Sequence, residues 1–183
     1  MNFKYTSNPT AEPLTLATVK AFLKVEHTED DTIISDLISQ KREYIETFLD
    51  RTLMVRSIEM AYPSVQRIYR VPVVPIIEVQ AVKYSTDDSD EVDVVDSAVN
   101  LRSRQACIII DPSAYPDRID DTDIVITLNT GYTDVEQIPK PIINALMLLV
   151  ADAYECRHNK EISRKMTTAA ADLLEPYRNQ RLF

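Results

Sequence analysis

The sequence predicts an α+β fold: a small helical bundle with an antiparallel β-sheet inserted between its N-terminal and C-terminal helices. Three observations predict it. Apolar residues recur at three- and four-residue spacing from Ile33 to Leu49 and again from Ile142 to Tyr154, the period of amphipathic helices. Between these stretches, over residues 54–132, the period falls to two and β-branched runs alternate with Pro- and Asp-rich turn signals. The chain of 183 residues holds a single glycine, Gly131, at the point where the β region gives way to the last helices.

Residues 1–13 are polar and carry Pro9 and Pro13, so they read as an extended arm. Residues 14–53 read as two helices. Thr15 is a candidate N-cap for a short one ending near Leu23, with Leu16, Val19, Ala21, Phe22 and Leu23 as its apolar positions. Thr28 is the candidate N-cap of a longer one, with Glu29, Asp30 and Asp31 on a first turn whose dipole favours negative charge. Ile33, Ile34, Leu37, Ile38, Tyr44, Ile45, Phe48 and Leu49 then form one wide apolar stripe.

In the β region, Arg56, Ile58, Met60 and Tyr62 alternate with Val55, Ser57, Glu59 and Ala61. The runs from Val71 to Val82 are punctuated by Pro72 and Pro75, which argues for edge strands or strand starts. Residues 86–90 (TDDSD) read as a turn between strands at 79–85 and 92–95. Cys107–Ile110 and Ile124–Leu128 are further strands, with a proline- and aspartate-rich loop over residues 112–123. Gly131 ends the last strand as its turn-forming residue. Pro139 and Pro141 open a long helix, where proline is tolerated because a first-turn N–H has no partner to lose. That helix is apolar around much of its circumference and so belongs in a core or a subunit contact. A short final helix spans residues 168–174, before Pro176. The expected organisation is one domain over 1–183, with helical residues 138–183 closing the chain.

Composition excludes several function classes. With one glycine there is no phosphate-cradling loop, no dinucleotide fingerprint and no nucleophile elbow. Two histidines exclude a histidine-rich metal centre, and two cysteines exclude a disulfide framework. A reduced, intracellular assembly environment is expected. No apolar leader opens the chain, and the longest apolar stretch, residues 145–151, falls far short of a membrane span; a soluble protein is expected.

The net charge of −9 is unevenly spread. Residues 87–123 hold eleven acids and three arginines, whereas residues 157–183 hold six bases and three acids. An acidic middle and a basic end do not make the broad basic face that tight DNA binding needs. The run Asp87, Asp88, Asp90, Glu91, Asp93 and Asp96 lacks the glycine of a calcium loop and reads as a solvated hairpin tip. Asp120, Asp121 and Asp123 lack an orienting partner for acid–base work and read as a polar loop. Cys156 and His158 are two residues apart, a spacing that does not bring them together on a helix. The basic end (Arg157, Lys160, Arg164, Lys165, Arg178, Arg181) suits an acidic face of another protein, DNA phosphates, or a solvated helix end; the apolar terminus Leu182-Phe183 favours protein docking.

Two stretches together resemble a known family. The first is LTLATVKAFLKV at 14–25, Asp30-Asp31, then Arg42-Glu43-Tyr44-Ile45-Glu46 through Arg51-Thr52-Leu53. The second is Thr130-Gly131-Tyr132, an acidic spacer, IPKPIINA at 138–145 and LLVADAYECR at 148–157. In order and spacing they resemble the head–tail connector (head-completion or adaptor) proteins of tailed bacteriophages, and they frame nearly the whole chain. The resemblance implies a non-enzymatic virion subunit without cofactors, assembled in the host cytoplasm and placed at the head–tail junction. It implies a homo-oligomeric ring, commonly of twelve copies, under the portal protein. Such a ring extends the DNA channel, lets DNA pass without specific binding, and presents a surface to a tail-side adaptor or completion protein. The C-terminal region of such proteins tends to reach the portal, which makes Arg157, Lys160, Arg164, Lys165, Arg178, Arg181, Leu182 and Phe183 the expected portal-docking residues. Asp87, Asp88, Asp90, Glu91, Asp93 and Asp96 are then an expected acidic channel or rim surface, where phosphates are repelled rather than held. The large β insertion departs from the shortest family members. The competing reading, suggested by the acidity, is a DNA mimic or other protein-binding inhibitor. Its carboxylates would have to spread along a face, whereas here they cluster in one segment.

Overall fold

The computed structural model describes residues 2–85, 91–93, 99–102, 107–111, 124–156 and 167–179. The chain divides into two compact units. A helical unit comprises residues 11–54 and 132–183, and a β unit comprises residues 1–10 and 55–131.

The helical unit holds α1 (Leu16–Leu23), α2 (Asp31–Leu49), α3 (Lys140–Glu155) and α4 (Thr168–Leu174). Thr15 caps α1: its Oγ1 accepts the Thr18 amide at 3.1 Å. Lys24 and Asp50 end α1 and α2 in the left-handed conformation, and their amides return to the preceding turn. Pro139 precedes α3 and Pro141 lies in its first turn. The α2 residues Ile34, Ile38, Ile45 and Leu49 meet Ile142, Leu146, Leu149 and Val150 of α3 in one apolar core, which Val19, Leu53, Ala170 and Leu174 complete. A parallel bridge pairs Met54 with Tyr132, the residues at which the chain leaves this unit and re-enters it.

The β unit contains two antiparallel sheets. One has the order β1-β2-β8-β4-β5, with β1 Asn2–Tyr5, β2 Arg56–Tyr62, β4 Ile76–Ser85, β5 Glu91–Asp93 and β8 Ile124–Thr130. The other has the order β3-β7-β6, with β3 Ile68–Arg70, β6 Val99–Arg102 and β7 Cys107–Ile110. Alternate residues of the larger sheet (Ile58, Met60, Ile124, Ile126, Leu128) are fully buried and share one core with Tyr69, Ile108 and Ile110 of the smaller, as expected of facing sheets. Tyr62 and Tyr69 meet edge to face at 4.9 Å. The opposite face of the larger sheet is polar. Ser57, Asn129 and Glu78 stand in register across β2, β8 and β4 and are linked by hydrogen bonds of 2.8 and 2.9 Å.

Several expectations are corrected. Residues 2–5 are a paired strand rather than a free arm, because β2 offers them an edge far along the chain. The single sheet expected over 54–132 is two, since β3 and β6 are too short to show a period of their own. Pro75 does precede a strand, but β4 lies inside the sheet; it tolerates its neighbours through register shifts at two points against β8. Helix α2 starts at Asp31, after Asp30, and the Thr28 hydroxyl is not its cap. Phe22, assigned to the apolar positions of α1, is 53% exposed. The 86–90 turn and the 112–123 loop lie outside the described residues.

Candidate interaction surfaces

The chemistry-bearing residues inside the helical unit act as an internal clamp. Arg42 occupies the apolar stripe of α2, between Ile38 and Ile45, and is buried. Its Nη1 donates to Glu46 Oε2 at 2.8 Å and its Nε to Glu12 Oε2 at 2.8 Å. Glu46, equally buried, accepts the Leu53 amide on Oε1 at 2.7 Å. Burial disfavours the Arg42 cation, but the Glu12 and Glu46 carboxylates outweigh it and raise its pKa above the usual arginine value. The Arg42–Glu46 pair thus joins the segment before α1, helix α2 and, through Glu46, the Leu53 segment by which the chain leaves the unit.

A second polar junction holds the start of α2. Lys20 of α1 donates to the His27 carbonyl at 2.6 Å and pairs with Asp31. Tyr154 of α3 donates its hydroxyl to Asp30. These contacts, one of them from Tyr154 far along the chain, stand where a side-chain cap was expected from Thr28.

Of the residues expected to dock the portal, only Arg178 lies among those described; Arg157, Lys160, Arg164, Lys165, Arg181, Leu182 and Phe183 lie outside. The Arg178 guanidinium sits 5.2 Å from the Phe48 ring centroid. Its 3.9 Å pair with Glu175 is exposed and contributes little. The segment around it is bound back to the end of α2: Arg51 Nε donates to the Tyr177 carbonyl at 2.6 Å, and the Asn179 amide to Leu49 at 2.9 Å. Along α2, Phe48 belongs to a half-exposed stripe with Tyr44, Leu37 and Ile33. Lys41 lies over the Tyr44 ring at 5.9 Å, and burial lowers its pKa against the opposing pull of Asp152.

Of the acidic set, Glu91 and Asp93 lie on the edge strand β5, while Asp87, Asp88, Asp90 and Asp96 lie outside the described residues. Gly131 follows β8 with φ 111°, and its amide donates to the Pro75 carbonyl at 2.9 Å. Cys156 caps α3 at its C-terminus; His158, Asp120, Asp121 and Asp123 lie outside the described residues. Among the described residues, no group of three or more His, Cys, Asp or Glu side chains could hold a metal ion. No described helix is long and apolar enough to cross a membrane.

The sequence reading missed the β1 edge. Phe3 and Tyr5 stand beside Met60 and Ile58 on the core side of the sheet, edge to face with each other at 5.7 Å. The Arg56 guanidinium lies 3.3 Å from the Tyr5 ring centroid, a close cation–π stack. The Phe3–Tyr5 alternation was the available signal, too short to separate from chance. The Arg42–Glu46 pair carried a clearer one: two charges at i and i+4, one of them in the middle of an apolar stripe.

Residues 13–100 match the family described as "Phage gp6-like head-tail connector protein". The resemblance to head–tail connectors read from the sequence is thus also carried by a family match, over α1, α2 and strands β2 to β5. Three solved structures are similar over 100% of this chain and 98% of theirs, each at 19% identity. They are described as "Neck of empty GTA particle computed with C6 symmetry" (TM-score 0.82), "Virion of native gene transfer agent (GTA) particle" (0.82) and "Neck of native GTA particle computed with C12 symmetry" (0.79). These likenesses establish the α+β fold. No curated protein matches the chain.

Proposed function

We propose that this chain is a structural subunit of the head–tail junction of a phage-like particle. Copies of it form a ring beneath the portal, extend the DNA channel and offer a docking surface to the next tail-side protein; the work is done by shape and contact, with no covalent chemistry. The head–tail connector match over residues 13–100 carries this reading. Two further observations support it. The fold is that of proteins in particle necks treated with sixfold and twelvefold symmetry. The charge map gives the chain two unlike regions, an acidic middle and a basic end, and head-to-tail contacts in a ring need two different faces.

On this reading the basic C-terminal residues, Arg157 to Phe183, meet the portal. The acidic set from Asp87 to Asp96 faces the channel or a basic neighbour, where it leaves DNA free to slide. The test is native mass spectrometry and electron microscopy of the purified chain, alone and mixed with its portal. The expected result is a ring of twelve copies on the portal. A chain that stays solitary beside the portal overturns the proposal. Reversing Asp87, Asp88, Asp90 and Glu91 to lysine is expected to impair DNA retention or tail joining, read as a drop in infectious or transducing particles; unchanged yields would remove the role of that surface.

A further inference from the structure

The helical unit carries two exposed apolar features, and α2 separates them. Residues two apart on an α-helix are turned by about 200° from one another, so Arg42 and Tyr44 face opposite ways. The Arg42 flank is taken by α1 and the segment before it. Arg42 donates to Glu12, and Asp31, about three turns earlier on the same flank, pairs with Lys20. The Tyr44 flank carries the row Ile33, Leu37, Tyr44 and Phe48, bordered by α3 and by Arg178. Lys41 lies over the Tyr44 ring within the field of Asp152, and Arg178 lies over Phe48.

Among the described residues of the helical unit, the exposed large hydrophobic side chains are Ile33 at 43% and Tyr44 at 40%, both in this row, and Phe22 at 53% on α1. Helix α1 turns Val19 into the core, whereas Phe22 stands outside it among the smaller exposed residues Thr18 and Ala21. One flank of the unit thus offers an aromatic knob, and the other an apolar row. Their charges are also opposite. Lys24, exposed, ends the helix that bears the knob, and Asp36, exposed, stands beside Ile33 and Leu37 in the row. The charge of Lys41 is answered inside the same copy by Asp152, which leaves the Asp36 end of the row suited to a base.

We infer that Phe22 of one copy seats in the α2 row of the next, against Ile33 and Leu37, with Lys24 reaching Asp36 across the contact. Knob and row belong to different flanks of one body, so every copy gives one and receives the other. Such a contact is heterologous and continues from copy to copy until a ring closes. An aromatic side chain entering an apolar surface supplies the energy, and the opposite charges at its rim choose the end of the row that Phe22 takes. The inference rests on the ring reading above and names one of its subunit contacts.

Two experiments test it, both on the full chain mixed with its portal and read by native mass spectrometry. Phe22→Ser is expected to lower the yield of rings about tenfold or more, with a circular dichroism melt like that of the parent, because the ring lies mostly in solvent. Lys24→Glu and Asp36→Lys, two surface changes, are each expected to lower the yield about threefold, and together to restore it. Rings that persist in Phe22→Ser, or a double charge variant no better than either single one, overturn the contact and leave the ring reading standing. Rings of Phe22→Ser that form normally but no longer hold the portal also overturn it, and assign the knob to the portal instead. A parent chain that forms no ring, with or without the portal, overturns both.

Discussion

Arg42 and Glu46 lie one turn apart on α2 and form an ion pair at 2.8 Å inside the core of the helical unit, with both side chains almost fully removed from water. A pair buried to this degree is held by its additional bonds, here to Glu12 and to the Leu53 amide. Its energetic signature is asymmetric: removing one partner strands the other charge, whereas replacing both costs far less.

Arg42→Met is therefore expected to destabilise the helical unit by about 3–5 kcal/mol. Arg42→Met with Glu46→Gln is expected to recover a large part of that loss, because the glutamine oxygen can still accept the Leu53 amide. Urea denaturation followed by far-ultraviolet circular dichroism measures both. A double variant no more stable than the single one would contradict the clamp.

The start of α2 offers a contrast between a cap read from sequence and the junction that replaces it. Tyr154→Phe removes the hydroxyl that donates to Asp30 and is expected to cost about 1–2 kcal/mol. Thr28→Ala is expected to stay within about 0.5 kcal/mol. Thr15→Ala, which removes the true cap of α1, is expected to cost about 1 kcal/mol. Thermal melts of the three variants rank these effects.

Gly131 has a φ of 111°, a region that side chains with a Cβ reach only under strain. Gly131→Ala is expected to lower stability by about 1–3 kcal/mol, visible as a fall of several degrees in Tm. A melt indistinguishable from the parent would mean that the turn relaxes into another conformation.

Tyr62 is a buried phenol that donates to the Arg70 carbonyl at 2.6 Å. Burial, with a smaller contribution from Tyr69, pushes its pKa up to about 12, above the ordinary phenol value of about 10. A raised pKa in the folded state means that folding favours the protonated form. This stabilisation is complete below about pH 10 and is lost as pH rises through about 12. Spectrophotometric titration at 295 nm is expected to show one phenol ionising late, and Tyr62→Phe to abolish that late component. A parent chain whose tyrosines all ionise near pH 10 would contradict it.

Helices α2 and α3 were legible from the three- and four-residue spacing of their apolar stripes, and α1 and α4 from a cap residue and a following proline. The β2, β7 and β8 strands were legible for the same reason, through alternation or a dense β-branched run. The candidate surfaces were less so. Arg178 and Glu91 were named for their charge, but charge says nothing of what stands beside a residue. Only the fold brings Arg178 to Phe48, or Glu91 to a sheet edge. Arg42 was visible as part of the stretch that resembles head–tail connectors, and its role was hidden because Glu12 reaches it, and Leu53 its partner Glu46, from separate segments.

By itself, then, the sequence determined the α+β class, the order of helices and β region, the one position where the backbone needs glycine, and the likeness to head–tail connectors. These depend on local periodicity and on residue type, which a linear string records. Tertiary structure alone decided that residues 2–5 join a sheet, that the β region divides into two sheets, and that α2 begins at Asp31. Each of these outcomes compares free energies of contact between segments tens of residues apart, and such comparisons are made only when the chain has folded.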